Sequence, residues 1–408
     1  MSDSSALLGG DAEADPETIM CEALEKVRDH LSMDISYMAE LIGDTVHFGR
    51  ASDPKGLGLI DITASRPMND LYCGYMLEGK LPRMMPNVSE FPLARDLPIT
   101  KEMGVESHVS VPLFRNNGEF YGTFCCFSQR PNPSLNERDY NIATMFANFA
   151  GNTLNKSLEA ANDLQRITDR INKTIEDQSF AIYWQPIFDL EKNLIVGSEA
   201  LSRFDSVVYQ SPDIWFAEAK KVGLQCELEL AAIRAALKQI NMLPPHVYVS
   251  LNASPETIIS GRLFELMKNA PCDCIIIEIT EHDAIDDPVK LLKMMSELRR
   301  IRVRFAIDDL GAGYSGLNTV LRLRPDYMKL DRALVAGIHA DPARQALAAA
   351  MVNFASEIGA TLIAEGVEHP EERDMLQKIG VPLVQGFLFA RPAPLETIWL
   401  SQRIKATG

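Results

Sequence analysis

Hydrophobic and polar residues form two different patterns along the chain, and the first pattern covers residues 16–155. Over residues 17–31 apolar side chains recur every three or four positions, which predicts a helix. Short apolar runs then flank Gly43-Asp44 and the segment 116–118, two turn sequences typical of β-hairpins. A further helix begins near Ser134. This pattern predicts an α+β domain, an antiparallel sheet flanked by terminal helices.

Two segments next to this domain have a composition of their own. Residues 1–15 are small, polar and acidic, which predicts a disordered tail. In residues 156–178 apolar positions recur every three or four residues between charged neighbours, which predicts a linker helix. That helix either pairs with a second copy as a coiled coil or packs on its own domain, because its heptad is not strict.

The second pattern covers residues 179–408, where short β-rich runs alternate with helical stretches. This alternation predicts an α/β fold, a closed (β/α)8 barrel of the TIM type. Residues 189–193 are too few for a crossover helix, so we expect the first two strands to be antiparallel. The eight predicted strands are 181–188, 194–203, 247–253, 274–281, 305–310, 327–331, 361–365 and 383–389.

Polar side chains follow the predicted strands at their C-terminal ends, where barrel enzymes keep their active sites. Carboxylate and amide oxygens are the ligands that Mg²⁺ and Mn²⁺ prefer. Cys and His do not occur at these ends, which disfavours zinc. The polar residues concerned are Glu199, Arg203, Asn252, Glu278, Glu281, Asp308, Asp309, Lys329, Asp331, Glu365, Glu368 and Gln385.

The adjacent Asp308 and Asp309 end an apolar run and precede a glycine turn. Both ionise at neutral pH only where a cation or hydrogen bonds offset their repulsion, and a pair of divalent metals would do so. A solvated turn is the competing interpretation. Residues 311–316, with Asp331, also match the dinucleotide-binding spacing, but two carboxylates before that turn would repel a pyrophosphate.

Composition narrows the class of protein. With 46% hydrophobic and 24% charged residues, the chain has the composition of a soluble globular protein. Its formal net charge of −16 argues against a nucleic-acid polymer as partner. We expect no membrane span, and a cytoplasmic location, because no apolar run is long enough and the N-terminus is acidic. The seven scattered cysteines predict no disulfide framework.

Three segments of the first domain carry a family resemblance: Tyr72-Cys73, the run 109–113 and residues 117–123. With them the domain resembles a GAF sensory domain. The resemblance implies that it binds an unidentified small molecule, such as a cyclic nucleotide or a tetrapyrrole, or that it only dimerises. For Cys73 a buried structural thiol is favoured over a chromophore anchor.

A series of short motifs runs through residues 179–405. In order they are Gln185-Pro186-Ile187, Glu199-Ala200-Leu201 with Arg203, Asn252 with Ser254, Glu278-Ile279-Thr280-Glu281, Asp308-Asp309 with Gly311 and Gly313, Lys329 with Asp331, Glu365-Gly366-Val367-Glu368, and Gln385-Gly386-Phe387. With them the chain resembles the EAL family of cyclic di-GMP phosphodiesterases. The resemblance implies hydrolysis of cyclic di-GMP to linear pGpG with two Mg²⁺ or Mn²⁺ ions per active site. Spacing alone indicates only a metal-dependent barrel.

The resemblance also implies a role for each site residue. The metal ligands would be Glu199, Asn252, Glu278, Asp308, Asp309 and Glu365. The catalytic residues would be Lys329, Glu365 and Gln385, with Lys329 orienting the attacking water or stabilising phosphoryl charge. Substrate would be bound by Arg203 and Gln185. The outer residues that brace these groups would be Glu281, Asp331 and Glu368.

The loop after the fifth barrel strand departs from the family pattern. Leu310, Ala312 and Gly316 stand where members usually have Phe, Thr and Ser. In the family this loop couples the metal site to a dimer interface, so activation is in question while the ligand set is complete. We therefore expect an active homodimeric enzyme, regulated by the first domain through the linker helix and residues 309–315. The alternatives are a cyclic di-GMP receptor without turnover and an interaction scaffold.

Overall fold

A computed structural model describes residues 15–205, 210–280, 284–311 and 316–398. The predicted tail up to residue 14 lies outside these ranges, as do Glu281 and Ala312. The chain separates into two compact units, residues 1–163 and 164–408. Among the described residues, no helix combines the length and the apolar character that crossing a bilayer requires.

The first unit is built on a six-stranded antiparallel sheet. Its strands are β1 (Ile35–Ile42), β2 (Thr45–Ser52), β3 (Ser65–Pro67), β4 (Met84–Met85), β5 (Ser107–Phe114) and β6 (Phe120–Ser128). Their order in the sheet is β3-β2-β1-β6-β5-β4, with every pair antiparallel. Its helices are α1 (Pro16–His30), α2 (Tyr72–Leu77), α3 (Pro92–Asp96) and α4 (Pro98–Met103). The predicted α+β antiparallel architecture is confirmed.

Alternation along the central strand β6 sends side chains into two separate cores. Phe124 and Cys126 pack with α1, whereas Cys125 and Phe127 pack under α2 to α4. Successive residues of a strand point to opposite faces, so a strand covered on both sides is apolar throughout. Position 122 of this strand requires glycine, because a Cβ on Gly122 would lie 1.9 Å from the carbonyl oxygen of Ala39.

Helix α5 (Glu137–Asp177) is continuous, so the predicted terminal helix and the predicted linker helix form one element. Within the second unit its last turns are not solvated on all sides. Ile171 is fully buried and packs in a cluster with Trp215, Ala219 and Leu228. The end of the predicted linker thus packs within the second unit, and pairing of the helix with a second copy stays a prediction.

The second unit is a closed barrel of eight strands. They are β7 (Phe180–Asp189), β8 (Leu194–Phe204), β9 (Tyr248–Asn252), β10 (Ile275–Thr280), β11 (Arg304–Leu310), β12 (Tyr327–Leu330), β13 (Thr361–Ala364) and β14 (Leu383–Val384). β7 pairs antiparallel with both β8 and β14, and the remaining neighbours are parallel. The predicted TIM-type barrel with an antiparallel first strand is confirmed.

Helices cover the outside of the barrel. They are α6 (Pro212–Lys221), α7 (Gln225–Gln239), α8 (Pro255–Ile259), α9 (Arg262–Met267), α10 (Pro288–Arg300), α11 (Gly316–Leu323), α12 (Arg332–Val335), α13 (Pro342–Glu357) and α14 (Pro370–Ile379). In α10 the buried residues Leu291, Met295 and Leu298 are three or four positions apart and face the strands. This arrangement leaves the ends of the strands free for chemistry.

The last predicted strand, residues 383–389, is wrong beyond Val384. After that residue the chain pairs with the loop that follows β13, since Val367 and Gln385 share a backbone hydrogen bond and Leu388 donates to Val367. A Cβ on Gly386 would lie 2.1 Å from the carbonyl oxygen of Val367. The close approach requires glycine and ends the strand early.

Candidate active site

Lys329 lies at the centre of the C-terminal mouth of the barrel. β12 directs its side chain inward, and only 1% of the residue is exposed. Four carboxylates from four other strands or strand ends surround its Nζ atom. The distances are 3.5 Å to Glu199, 2.7 Å to Glu278, 3.1 Å to Asp308 and 2.7 Å to Glu365. The sequence placed each of these residues at a strand end, and the barrel brings them together.

The carboxylates form two groups that share one residue. Ligand oxygens of Glu199, Glu278 and Asp308 lie within 4.8 Å of one another, and so do those of Asp308, Asp309 and Glu365. Asp309 joins the second group from a left-handed backbone conformation, φ 59°, that a short polar residue tolerates. Two adjacent groups of hard oxygen atoms are the arrangement that a pair of divalent cations requires.

Burial and mutual repulsion shift the titration of these groups. Burial, followed by the charges of Glu199 and Asp308, raises the pKa of Glu278 to about 8 although Lys329 opposes the shift. Burial also raises the pKa of Glu365 well above its usual range. Burial acts against the ammonium of Lys329, but the surrounding carboxylates outweigh it and raise its pKa. One ammonium does not balance this many buried carboxylates.

Glu199 responds differently because amide donors stabilise its charged form. Gln385 Nε2 donates to its Oε2 at 2.6 Å, and Asn252 Nδ2 donates to its Oε1 at 3.2 Å. Burial tends to raise the pKa of Glu199, but Lys329 and these two donors lower it. Gln385 Nε2 also reaches Gln185 Oε1 at 3.0 Å, which connects β7 to the site. Glu278 Oε1, by contrast, is buried without a hydrogen-bond partner.

The remaining predicted residues lie around this centre. Arg203, at the end of β8, donates to the carbonyl of Ser202 at 2.8 Å and lies over the Tyr183 ring. Asp331 caps α12 by accepting from the backbone of Ala333 at 2.7 Å. Glu368 pairs with Arg332, also on α12, at 3.0 Å. Glu281 falls outside the described residues.

A cavity of about 460 Å³ opens above the carboxylates. Its floor includes Glu199, Glu278, Asp308 and Asp309, and Arg203 lies on its side. Helices α6 and α7 also line the cavity. Their side chains Pro212, Phe216, Ala232, Ile233 and Ala236 form an apolar wall, and Asp213, Gln225 and Glu229 of the same helices line the cavity too. The cavity therefore combines several carboxylates, one cation and an apolar wall.

Glu229 on α7 also lines this cavity, and sequence reasoning did not find it. Its Oε2 accepts from the backbone N–H of Ser254 at 2.9 Å and from Ser254 Oγ at 3.0 Å. Its Oε1 accepts from Gln225 at 2.8 Å. Burial raises its pKa. The signal that could have revealed it is a carboxylate inside the apolar run Leu228-Glu229-Leu230-Ala231.

The first unit contains a cavity of only about 10 Å³, room for roughly one water molecule. Tyr37, Phe48, Tyr72, Cys73 and His108 are among its lining residues. Burial raises the pKa of the Cys73 thiol to about 12, which agrees with a structural thiol. A cyclic nucleotide or a tetrapyrrole would have to displace this lining in order to occupy this cavity.

His108 in that cavity predicts a pH dependence of the first unit. Both ring nitrogens are buried without a hydrogen-bond partner, and burial lowers the pKa to about 3. The folded state therefore holds a neutral imidazole, whereas the unfolded chain binds a proton below pH 6.5. The free energy of unfolding is therefore not reduced by His108 above that pH. Below it, the free energy of unfolding falls as the pH is lowered, by up to about 1.4 kcal/mol per pH unit.

Hydrogen exchange of the β5 amides at pH 7, 6 and 5 measures this effect after correction for intrinsic exchange rates. His108→Phe keeps an aromatic ring but cannot take up a proton, so its opening free energy should fall less steeply. Equal slopes for the two proteins would contradict the prediction.

Two family models match the chain. An EAL domain model covers residues 168–392, more than half of the protein. This chain belongs to the EAL domain family. A GAF domain model covers residues 15–154, so an EAL domain follows a GAF domain in the sequence.

Relatives of the EAL domain carry informative names. The probable cyclic di-GMP phosphodiesterase PdeD of Escherichia coli K12 is 29% identical over 57% of this chain and 45% of its own length. The cyclic di-GMP phosphodiesterase RocR of Pseudomonas aeruginosa is 29% identical over 59% of this chain and 64% of its own length. This chain thus spans less than two thirds of each of these relatives.

Solved structures agree with the EAL fold. An EAL domain protein from Listeria monocytogenes EGD-e superposes with a TM-score of 0.53 and 28% identity, over 57% of this chain and 96% of that chain. The PaMucR phosphodiesterase in complex with c-di-GMP gives 0.50 and 25%, over 57% of this chain and 99% of that chain.

Proposed function

We propose that the EAL domain hydrolyses one phosphodiester bond of cyclic di-GMP to give linear pGpG, with two Mg²⁺ or Mn²⁺ ions. The observation that carries the proposal is the pair of carboxylate groups that share Asp308, a residue that lines the cavity. The names of the relatives and the c-di-GMP complex of PaMucR supply the substrate.

The residues present fit divalent metals. Glu278 Oε1 is a buried oxygen without a partner, and the charges around Lys329 are unbalanced. Glu199, Asn252, Glu278 and Asp308 would hold one ion, and Asp308, Asp309 and Glu365 the other. The ions would supply Lewis-acid activation of water and of the phosphodiester at neutral pH.

The protein's own groups have separable tasks in this proposal. Arg203 would bind a substrate phosphate, since it lines the same cavity as the carboxylates. Lys329 would hold a positive charge below the scissile phosphodiester, where negative charge develops during the displacement. Gln385 and Gln185 would fix the rotamer of Glu199 through their shared hydrogen bonds. The apolar wall would exclude water from one base.

Turnover tests the proposal directly. Purified full-length protein is incubated with cyclic di-GMP in Mg²⁺, in Mn²⁺ and in EDTA, and products are separated by chromatography. We expect pGpG in both metals and none in EDTA. Tight binding of cyclic di-GMP without product would contradict the enzyme and support the receptor alternative. Neither binding nor product would support a scaffold.

Glu229 gives a second test, because we propose that it positions Asn252. Its bonds to Ser254 fix the turn that follows β9, two residues beyond Asn252. In Glu229→Gln one acceptor is lost, so the Mg²⁺ concentration for half-maximal rate should rise about tenfold. Replacing a residue that holds a metal ligand in place usually lowers metal affinity by about this factor. Isothermal titration with Mg²⁺ should report the same shift without turnover.

Glu227→Gln is the matched control for that variant. Glu227 lies two residues away on the same helix and pairs with Arg262 on the surface. The Glu227→Gln variant should have the same Mg²⁺ affinity as the wild type. Equal Mg²⁺ dependence of Glu229→Gln and the wild type would remove Glu229 from the site.

We also propose that residues 16–155 act as the sensory domain, with residues 156–178 as the linker, in a homodimer that works in the cytoplasm. The GAF domain match supports a sensory role. Light scattering of the purified protein tests the dimer, and a monomeric mass at micromolar concentration would contradict it.

A further inference from the structure

Helix α6 forms part of the wall of the cavity that Arg203 also lines. Pro212 and Asp213 in its first turn and Phe216 in its second all line the cavity. The placement of α6 therefore affects the shape of the cavity. The helix carries none of the proposed metal ligands, so a shift of α6 would change the wall and not the ligand set.

Arg170, near the end of α5, contacts two residues of α6 and one residue just before it. Its Nη1 donates to Gln210 Oε1, just before the helix, at 3.1 Å. Its guanidinium lies 4.5 Å from the centre of the Trp215 ring. Its Nη2 forms an ion pair with Glu218 in the second turn. All four residues belong to the second compact unit.

An apolar cluster continues this contact toward the substrate side. Trp215 is 1% exposed and stacks on Phe204 with ring centres 4.7 Å apart. Phe204 follows Arg203 directly at the end of β8. Ile171, next to Arg170, is fully buried in the same cluster. The last turns of α5, helix α6 and the strand that presents Arg203 are thus packed as one layer.

We propose that Arg170 is a positioning residue that fixes α6 and thereby sets the affinity of the cavity for the cyclic dinucleotide. The inference rests on the proposed function for the identity of the ligand. Arg170 itself lies on α5, which is one uninterrupted helix from Glu137 to Asp177.

Steady-state kinetics of the full-length protein separate positioning from general stability. In Arg170→Ala we expect KM for cyclic di-GMP to rise about tenfold, with kcat within a factor of two. Glu218→Gln should raise KM in the same direction by less. The double variant should be no worse than Arg170→Ala, because both changes break the same contact. Arg170→Lys should fall between wild type and alanine, since an ammonium cannot bond Gln210 and Glu218 in the guanidinium's geometry.

Lys173→Ala is the control on the same helix, because Lys173 is exposed. It should match the wild type in both constants. A loss of kcat at unchanged KM in Arg170→Ala would indicate a smaller folded fraction and would overturn the proposal, as would unchanged kinetics. If the wild type itself gives no product, the proposed function fails. The inference is then decided by the dissociation constant of cyclic di-GMP, measured by calorimetry on the same variants, with the same expected rise.

Discussion

Replacing Glu199 by glutamine is expected to lower kcat for cyclic di-GMP hydrolysis by about a thousandfold, equivalent to about 4 kcal/mol of barrier. Glu199 contributes an oxygen to the first carboxylate group, within 4.8 Å of those from Glu278 and Asp308. Glutamine has nearly the same shape but places an amide, with only one acceptor oxygen, beside the cation. The loss should therefore appear in catalysis and metal binding, and the fold should remain.

Thermal unfolding in EDTA and in Mg²⁺ provides an independent measurement. Without metal, Glu199→Gln removes a carboxylate whose pKa Lys329, Gln385 and Asn252 lower, and the amide can accept from only one of its two amide donors. The variant should therefore be less stable than the wild type in EDTA and should also gain less stability from Mg²⁺.

Glu191→Gln is the control, because Glu191 lies in the exposed turn between β7 and β8 at the other end of the barrel. It should leave turnover and metal stabilisation unchanged. A wild-type rate in Glu199→Gln would show that this carboxylate is not a ligand.

Most of the barrel could be predicted because its determinants are local. The turn of residues 189–193 is too short for a helix and requires an antiparallel hairpin, which pairs Asp189 with Leu194. The site could be predicted because parallel strands carry their C-terminal ends to one mouth of a barrel, so carboxylates at those ends converge. The end of β14 could not, because it depends on the packing of Gly386 against Val367, which are not neighbours in sequence.

Residues that support the site from helices were missed for a related reason. Arg170 and Glu218 are 48 positions apart, and Glu229 and Ser254 are 25 apart. On a helix, a charged residue between apolar ones normally belongs to the solvated face. Only the packing of α5 on α6, and of α7 beside β9, turns these charges inward. Periodicity in a single sequence does not carry that information.

Lys329→Met is expected to destabilise the metal-free protein by about 3–5 kcal/mol, the usual cost of removing one partner from a buried ionic group. The ammonium is 1% exposed and lies within 3.5 Å of four carboxylates. Methionine has a similar volume and leaves those carboxylates without a cation. Urea unfolding in EDTA, followed by tryptophan fluorescence, measures the change in the second unit, which contains all three tryptophans.

Mg²⁺ should recover a large part of that stability, because divalent ions can replace the missing positive charge between the carboxylates. Activity should stay low in Mg²⁺, since the positive charge below the scissile phosphodiester is absent. Lys238→Met, a change on the exposed face of α7, should leave both properties unchanged. If Lys329→Met were equally unstable with and without Mg²⁺, the lysine would have only a structural role, and the carboxylates would not form a metal site. Stability recovered by Mg²⁺ together with lost turnover would assign Lys329 to the chemistry, because the same cluster then binds metal without catalysing the reaction.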